Sequence, residues 1–176
     1  MPGDFELTAD ELRAVVHFAA GSAQQVLPLF EEVRPDDGRP REALAAARAF
    51  VDGAPRSRRQ RLSATDAHRA AREAPTEVSR LAAQAAGDAP AAAYLHPIAR
   101  AHQVGHVLRA AANAARIAEI QAGERPAAAE REIALACARA GGVVVDVLRR
   151  YPPAPPGRSR AARLLAELDG ALRSSG

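Results

Sequence analysis

The stretch from Val26 to Phe50, VLPLFEEVRPDDGRPREALAAARAF, decides how the rest of the chain reads. Two apolar runs flank a short segment, Arg34 to Arg39, that carries both charge signs. Pro40 follows directly, and proline is tolerated at a first helical position because its missing N–H is unsatisfied there anyway. A helix from Pro40 then places Ala43, Leu44, Ala47 and Val51 on one side, and Gly53 stops it. The segment is thus a helix, a tight charged turn and a second helix.

The same grammar extends in both directions. Thr8-Ala9-Asp10-Glu11 is a capping box, a hydroxyl followed three residues later by a carboxylate. It starts a helix through Leu12, Val15, Val16 and Ala19. Gly21 and Pro28 interrupt that pattern, so the expectation is one kinked helix or two short ones, ending near Val33. Ser57 caps a third helix that Pro75 breaks. Thr76 opens a fourth, ending near Gly87. Asp88 followed by Pro90 reads as the start of a fifth, reaching Gln121 with a kink at Pro97. Pro126 starts a sixth, with Gly141-Gly142 inside it. Tyr151 to Gly157, YPPAPPG, is a stiff spacer. A last amphipathic helix presents Leu164, Leu165, Leu168 and Leu172.

Composition agrees. Alanine makes up about a quarter of the 176 residues and aromatics 3%. Alanine has the highest helix propensity, while each one buries little apolar area. The only strand-like cluster, Val143 to Val145, is too short to outweigh its helical flanks. The reading is an all-α fold, a compact bundle of about six or seven helices, with stacking of helical hairpins as a variant. Residues 1–150 form one helical domain. Residues 151–176 form a spacer and a helix that packs on this domain or on a partner, which leaves room for a homodimer.

Several chemistries are excluded. All 24 lysine-plus-arginine positions are arginine. Without lysine there is no GxxxxGK[ST] phosphate loop and no Schiff-base or lysine general base. The net charge of +3 is weak. The groups Arg56, Arg58, Arg59, Arg61 and Arg158, Arg160, Arg163 read as solvated helix faces, not as a nucleic-acid surface with stacking aromatics. Lone Cys137 cannot form an internal disulfide and reads as a small buried hydrophobe. The N-terminus lacks a signal-peptide pattern and no window has the length of a membrane span. A cytoplasmic location follows, with no cofactor called for.

Two candidate sites emerge. His102 and His106 share a helix face with Arg109, Asn113 and Arg116, and His68 shares another with Arg61, Thr65 and Arg72. If the two faces met, His68, His102 and His106 could hold a metal or small ligand. The arginines argue against a divalent cation, and histidines satisfied within an interhelical face are the structural alternative. The second candidate is the turn. Glu31, Glu32, Asp36, Asp37, Arg39 and Arg41 offer alternating charge, either to a partner or to clamp the first two helices together. No residue set forms a catalytic constellation such as the GxSxG elbow.

The chain resembles the putative immunity proteins of bacterial polymorphic toxin systems, in an alanine-rich helical group common in actinobacteria. The matching pieces are Val26 to Phe50, then DAHRAAREA at Asp66 to Ala74, then AAQAAGDAPAAAYLHPIARAHQVGHVLRAAANAAR at Ala82 to Arg116. They span roughly the first two thirds of the chain. The resemblance implies an all-α protein that binds and neutralises a toxin made by its own cell, with no catalysis and no cofactor. Nuclease inhibitors often present an acidic surface, whereas this chain is mildly basic. Its contact patch would then be locally acidic, as at Glu31 to Asp37, or its toxin would not be a nuclease. Binding of a metal or metabolite by the histidines, and weak arginine-mediated nucleic-acid binding, are the alternatives.

Overall fold

The computed structural model describes residues 5–175; Met1 to Asp4 and Gly176 lie outside the described residues. Among the described residues seven α-helices make up the fold: α1 (Ala9–Glu31), α2 (Arg39–Val51), α3 (Arg58–Glu73), α4 (Glu77–Ala91), α5 (Val104–Gln121), α6 (Pro126–Arg149) and α7 (Arg160–Ser174). Among the described residues there is no strand.

The caps are those of the sequence. Thr8 Oγ1 accepts from the Glu11 N–H at 3.2 Å, and Glu11 Oε2 accepts from the Thr8 N–H at 2.8 Å. Ser57 with Gln60, and Thr76 with Ser79, repeat the reciprocal arrangement. Each cap satisfies N–H groups that a helix start leaves without partners. Pro40 sits in the first turn of α2, and Gly53 ends it at φ +107°. α1 is one continuous helix through Gly21 and Pro28.

α4 is the central element and packs on α1, α2, α3 and α5. Ala82, Ala83, Ala85, Ala86 and Ala89 have no exposed surface. A helix that packs on four neighbours must be apolar over most of its surface, and alanine lets those neighbours come close; Glu77 and Arg80 remain exposed. α3 comes closest at Gly87, where a Cβ would stand 3.0 Å from His68 Cε1 and 3.1 Å from the Ala64 carbonyl oxygen. The larger side chains, Phe30, Leu81, Leu108, Ile117 and Leu148, fill what the alanines leave.

The structure corrects the expected fifth helix. α4 does not end near Gly87, and Asp88 does not cap a new helix. α4 runs on through Asp88 and Pro90 to Ala91, and a 3₁₀ turn at Ala92–Tyr94 follows. Asp88 is buried and spent on an ion pair with α5, so it has no free oxygen to cap with. Pro97 lies in the non-helical connection to α5, not at a kink within a helix. Side chains secure this connection. Gln103 Oε1 accepts from the His96 N–H at 3.0 Å, and the Tyr151 hydroxyl donates to the His96 carbonyl at 2.8 Å. α6 has a break where the glycine pair lies: Gly141 takes φ +68° and ψ +164°, a conformation that suits glycine.

α7 lies on α5 and α6. Leu164, Leu168 and Leu172 have no exposed surface, so these three leucines of the stripe are covered within one chain, while Leu165 stays partly exposed. Arg160 does not belong to a solvated face; it is turned inward onto Glu119 of α5. Cys137 is half-buried, and burial pushes its thiol up.

Candidate functional site

The charged turn between α1 and α2 is tied down from inside. Arg39 donates to Asp37 through two bonds of 2.8 and 2.6 Å, and to Glu73 Oε2 at 2.5 Å. Arg34 donates to the Glu73 carbonyl at 2.8 Å. Two guanidinium groups thus sit at the C-terminus of α3, where the helix dipole favours positive charge. The Arg39 guanidinium holds the carboxyls of Asp37 and Glu73 below their ordinary values. Arg41 pairs with Glu31 at 2.6 Å and joins α2 to α1. Of the six charged residues singled out in the turn, four are therefore engaged internally. Glu32 and Asp36 are exposed and, among the described residues, make no ion pair.

A second charged cluster lies between α3, α4 and α5. Asp88 accepts from Arg109 Nε at 2.9 Å and Nη2 at 2.6 Å, a forked pair of the geometry that arginine gives best with a carboxylate. His68 Nε2 stands 3.5 Å from the same carboxylate. Burial lowers the pKa of His68; Asp88 opposes that, while Arg109 and Arg72 add to it. Burial also lowers His106, with Arg109 next in effect. His106 Nδ1 is buried and has no hydrogen-bond partner. His102 is exposed, with its Nε2 2.8 Å from Gln103 Nε2. Among the described residues, no three His, Cys, Asp or Glu side chains gather as metal ligands would. His68, His102 and His106 thus do not form a metal-binding trio; His68 and His106 lie within the field of one ion pair and His102 turns to the surface.

Over this cluster opens a cleft of about 450 Å³, lined by Thr65, His68, Ala71, Arg72, Arg80, Gln84 and Arg109. The α3 face carrying His68 and the α5 face carrying Arg109 do meet, but across α4. Sequence periodicity paired the histidines and missed Asp88, Arg80 and Gln84.

A third network joins the tail to the bundle. Arg116 donates to Glu119 at 2.8 Å and to Glu124 at 2.5 Å, and lies 3.3 Å from Glu77. Glu119, 3% exposed at its side chain, also accepts from Arg160 Nη2 at 2.7 Å. Arg160 and Arg116 together hold Glu119 below the ordinary carboxylate range. The spacing of Arg116 and Glu119 on one helix signals only the local half of this network.

Fold and site together define a class: an all-α bundle whose helices and charged turn are tied by internal ion pairs. The chain belongs to the family described as Imm-5 like putative immunity protein, whose model matches residues 6–140. Such a family implies a toxin as partner and points away from catalysis. No curated protein and no solved structure matches the chain. The family match ends at Ala140, directly before the break at Gly141. None of the helices among the described residues is long and apolar enough to cross a membrane.

Proposed function

We propose that the chain binds a cognate bacterial toxin in the cytoplasm and neutralises it by surface contact, without catalysis. Membership of the immunity family over residues 6–140 carries this reading. The contact includes the turn of Glu31, Glu32, Asp36, Asp37, Arg39 and Arg41. Its paired members hold the backbone in one shape, and Glu32 and Asp36 project from it. A surface ordered before binding loses less entropy in the complex. Residues 1–150 act as one helical domain, and 151–176 complete it through the Arg160–Glu119 contact.

The test is co-purification with candidate toxins encoded by the neighbouring genes. Glu32→Arg with Asp36→Arg reverses two unpaired surface charges and leaves the ion pairs in place. The wild type is expected to hold the toxin and protect cells from it, and the variant to lose both. A wild type that captures no toxin removes the function; a variant that binds as well as the wild type removes the turn from the contact.

A further inference from the structure

The cleft between α3, α4 and α5 carries a charge pattern that the turn does not explain. No carboxylate stands among its lining residues. Asp88 lies beneath, with both oxygens taken by Arg109. Arg72 and Arg80 are exposed and, among the described residues, make neither an ion pair nor a side-chain hydrogen bond. By contrast, Arg39, Arg41, Arg109, Arg116, Arg150 and Arg160 are each held by a carboxylate. Two free guanidinium groups therefore flank one hollow, and Arg109 adds a third to its wall. An arriving carboxylate would relieve their mutual repulsion and could accept two parallel N–H bonds from either fork.

The hollow continues. A second one, of about 370 Å³, shares Arg80, Gln84 and Arg109, reaches Ser159 and Arg160 of α7, and is bordered by Glu77, whose carboxylate lies 3.3 Å from Arg116. Together they make a trough from α3 to α7, which suits an extended chain better than a single ion. Neither lining includes a phenylalanine, tyrosine or tryptophan ring, and bases bind single-strand grooves largely by stacking on such rings. The trough also adjoins the turn, because Arg72 immediately precedes Glu73, which Arg34 and Arg39 hold.

We infer that this trough receives an acidic segment of the protein partner, with Arg72 and Arg80 gripping its carboxylates and the Gln84 amide N–H donating a further hydrogen bond. The inference rests on the toxin-binding reading and names the chemistry of a second part of that contact. It stands apart from the turn, since the two patches carry opposite charge.

The test uses Arg72→Glu with Arg80→Glu, which changes two exposed side chains that have no internal partner, and Arg72→Lys with Arg80→Lys, which keeps the charge and loses the fork. Thermal melts establish that both fold. Acetylated hexaglutamate and, separately, inorganic phosphate are titrated at low salt while the arginine Nε–Hε signals are followed by NMR. Hexaglutamate is expected to shift the Arg72 and Arg80 signals of the wild type and to leave the charge-reversed chain unaffected. The toxin complex is expected to weaken about tenfold or more on charge reversal and less with lysine. Tighter binding of phosphate than of hexaglutamate at these arginines makes the trough a small-ion site and overturns the inference. An undiminished toxin complex with the charge-reversed chain overturns it as well, while leaving the proposed function intact. A wild type that captures no toxin is instead the failure of the proposed function; the hexaglutamate titration then decides the trough separately.

Discussion

Removing Arg109 should cost more than removing its partner, and the excess should depend on pH. The Asp88 side chain has no exposed surface, whereas that of Arg109 is 38% exposed. In Asp88→Ala the guanidinium can turn toward water, and the loss is that of a charged hydrogen-bonded pair, about 1–3 kcal/mol. In Arg109→Ala a buried carboxylate loses the charge that compensates it, which costs about 3–5 kcal/mol. For a chain of this size each kcal/mol moves Tm by about 2–4 °C. Arg109→Ala should therefore lower Tm by about 6–20 °C, and Asp88→Ala by markedly less.

The pH dependence has a definite sign. In the wild type, the pKa values of His68 and His106 are held below 6.5. On acidification the unfolded chain takes up these protons first, so stability falls as pH drops through 6.5 toward the folded values. Without Arg109, Asp88 faces His68 alone at 3.5 Å. Burial still lowers His68, but with the Arg109 repulsion gone the Asp88 carboxylate offsets more of that effect, and the folded pKa of His68 moves up toward its ordinary value. The variant therefore loses less stability than the wild type as pH drops through 6.5. The deficit of Arg109→Ala relative to wild type should shrink from pH 8 to pH 6. Urea titrations followed by circular dichroism at both pH values measure it. A deficit equal at both, or an Asp88→Ala variant less stable than Arg109→Ala, refutes the reasoning.

Three further outcomes follow from local geometry. Gly87→Ala places a methyl group at 3.0 Å from His68 Cε1 and 3.1 Å from a backbone oxygen, and should destabilise by about 1–3 kcal/mol; Gly21→Ala, which meets nothing within 4 Å on α1, should instead stabilise by about 0.5–1 kcal/mol, both read from urea midpoints. Gly141→Ala forces a side chain into φ +68° with ψ +164°, a region essentially reserved for glycine, and should cost about 1–3 kcal/mol in the same assay; a stabilised variant would mean that α6 runs unbroken. Glu11, held at about 2 chiefly by its hydrogen bond with Arg150, contributes stability that is present above its ordinary value of 4.5 and lost as pH falls through about 2. Glu11→Gln should flatten the acid limb of the stability curve in that window, and an unchanged limb would remove the pairing from the account.

What could be seen in the sequence was whatever chain neighbours determine. Thr8 with Glu11, Ser57 as a cap and Pro40 in the first turn of α2 act over three or four residues, and each lies where its signal put it. Asp88 followed by Pro90 gives the same local signal for a cap and for a buried ion pair. Only Arg109, 21 residues on, tells them apart. The turn was visible as alternating charge. Which of its charges remain free depends on Glu73, 34 residues from Arg39. Arg160 read as solvated because its partner Glu119 lies 41 residues away. Local periodicity assigns residues to faces, and only the packing decides which faces meet.

Alanine packing bears directly on how such a chain can bind. Helices cored by alanine approach closely and leave few rotamers to order, so their surfaces hold shape before a partner arrives. Charges on that surface then divide into two kinds. Paired ones, such as Arg39 with Asp37 and Glu73, fix the backbone and offer little to a partner, because their Coulomb energy is already realised. Unpaired ones, here Glu32 and Asp36 on one side and Arg72 and Arg80 on the other, keep theirs for the encounter. Opposite patches side by side reject a partner docked in reverse, since reversal sets like against like. Recognition by this chain would therefore depend more on the register of a few free charges than on apolar area. Its complex should weaken steeply with added salt; a salt-insensitive complex would place the binding energy elsewhere on the bundle.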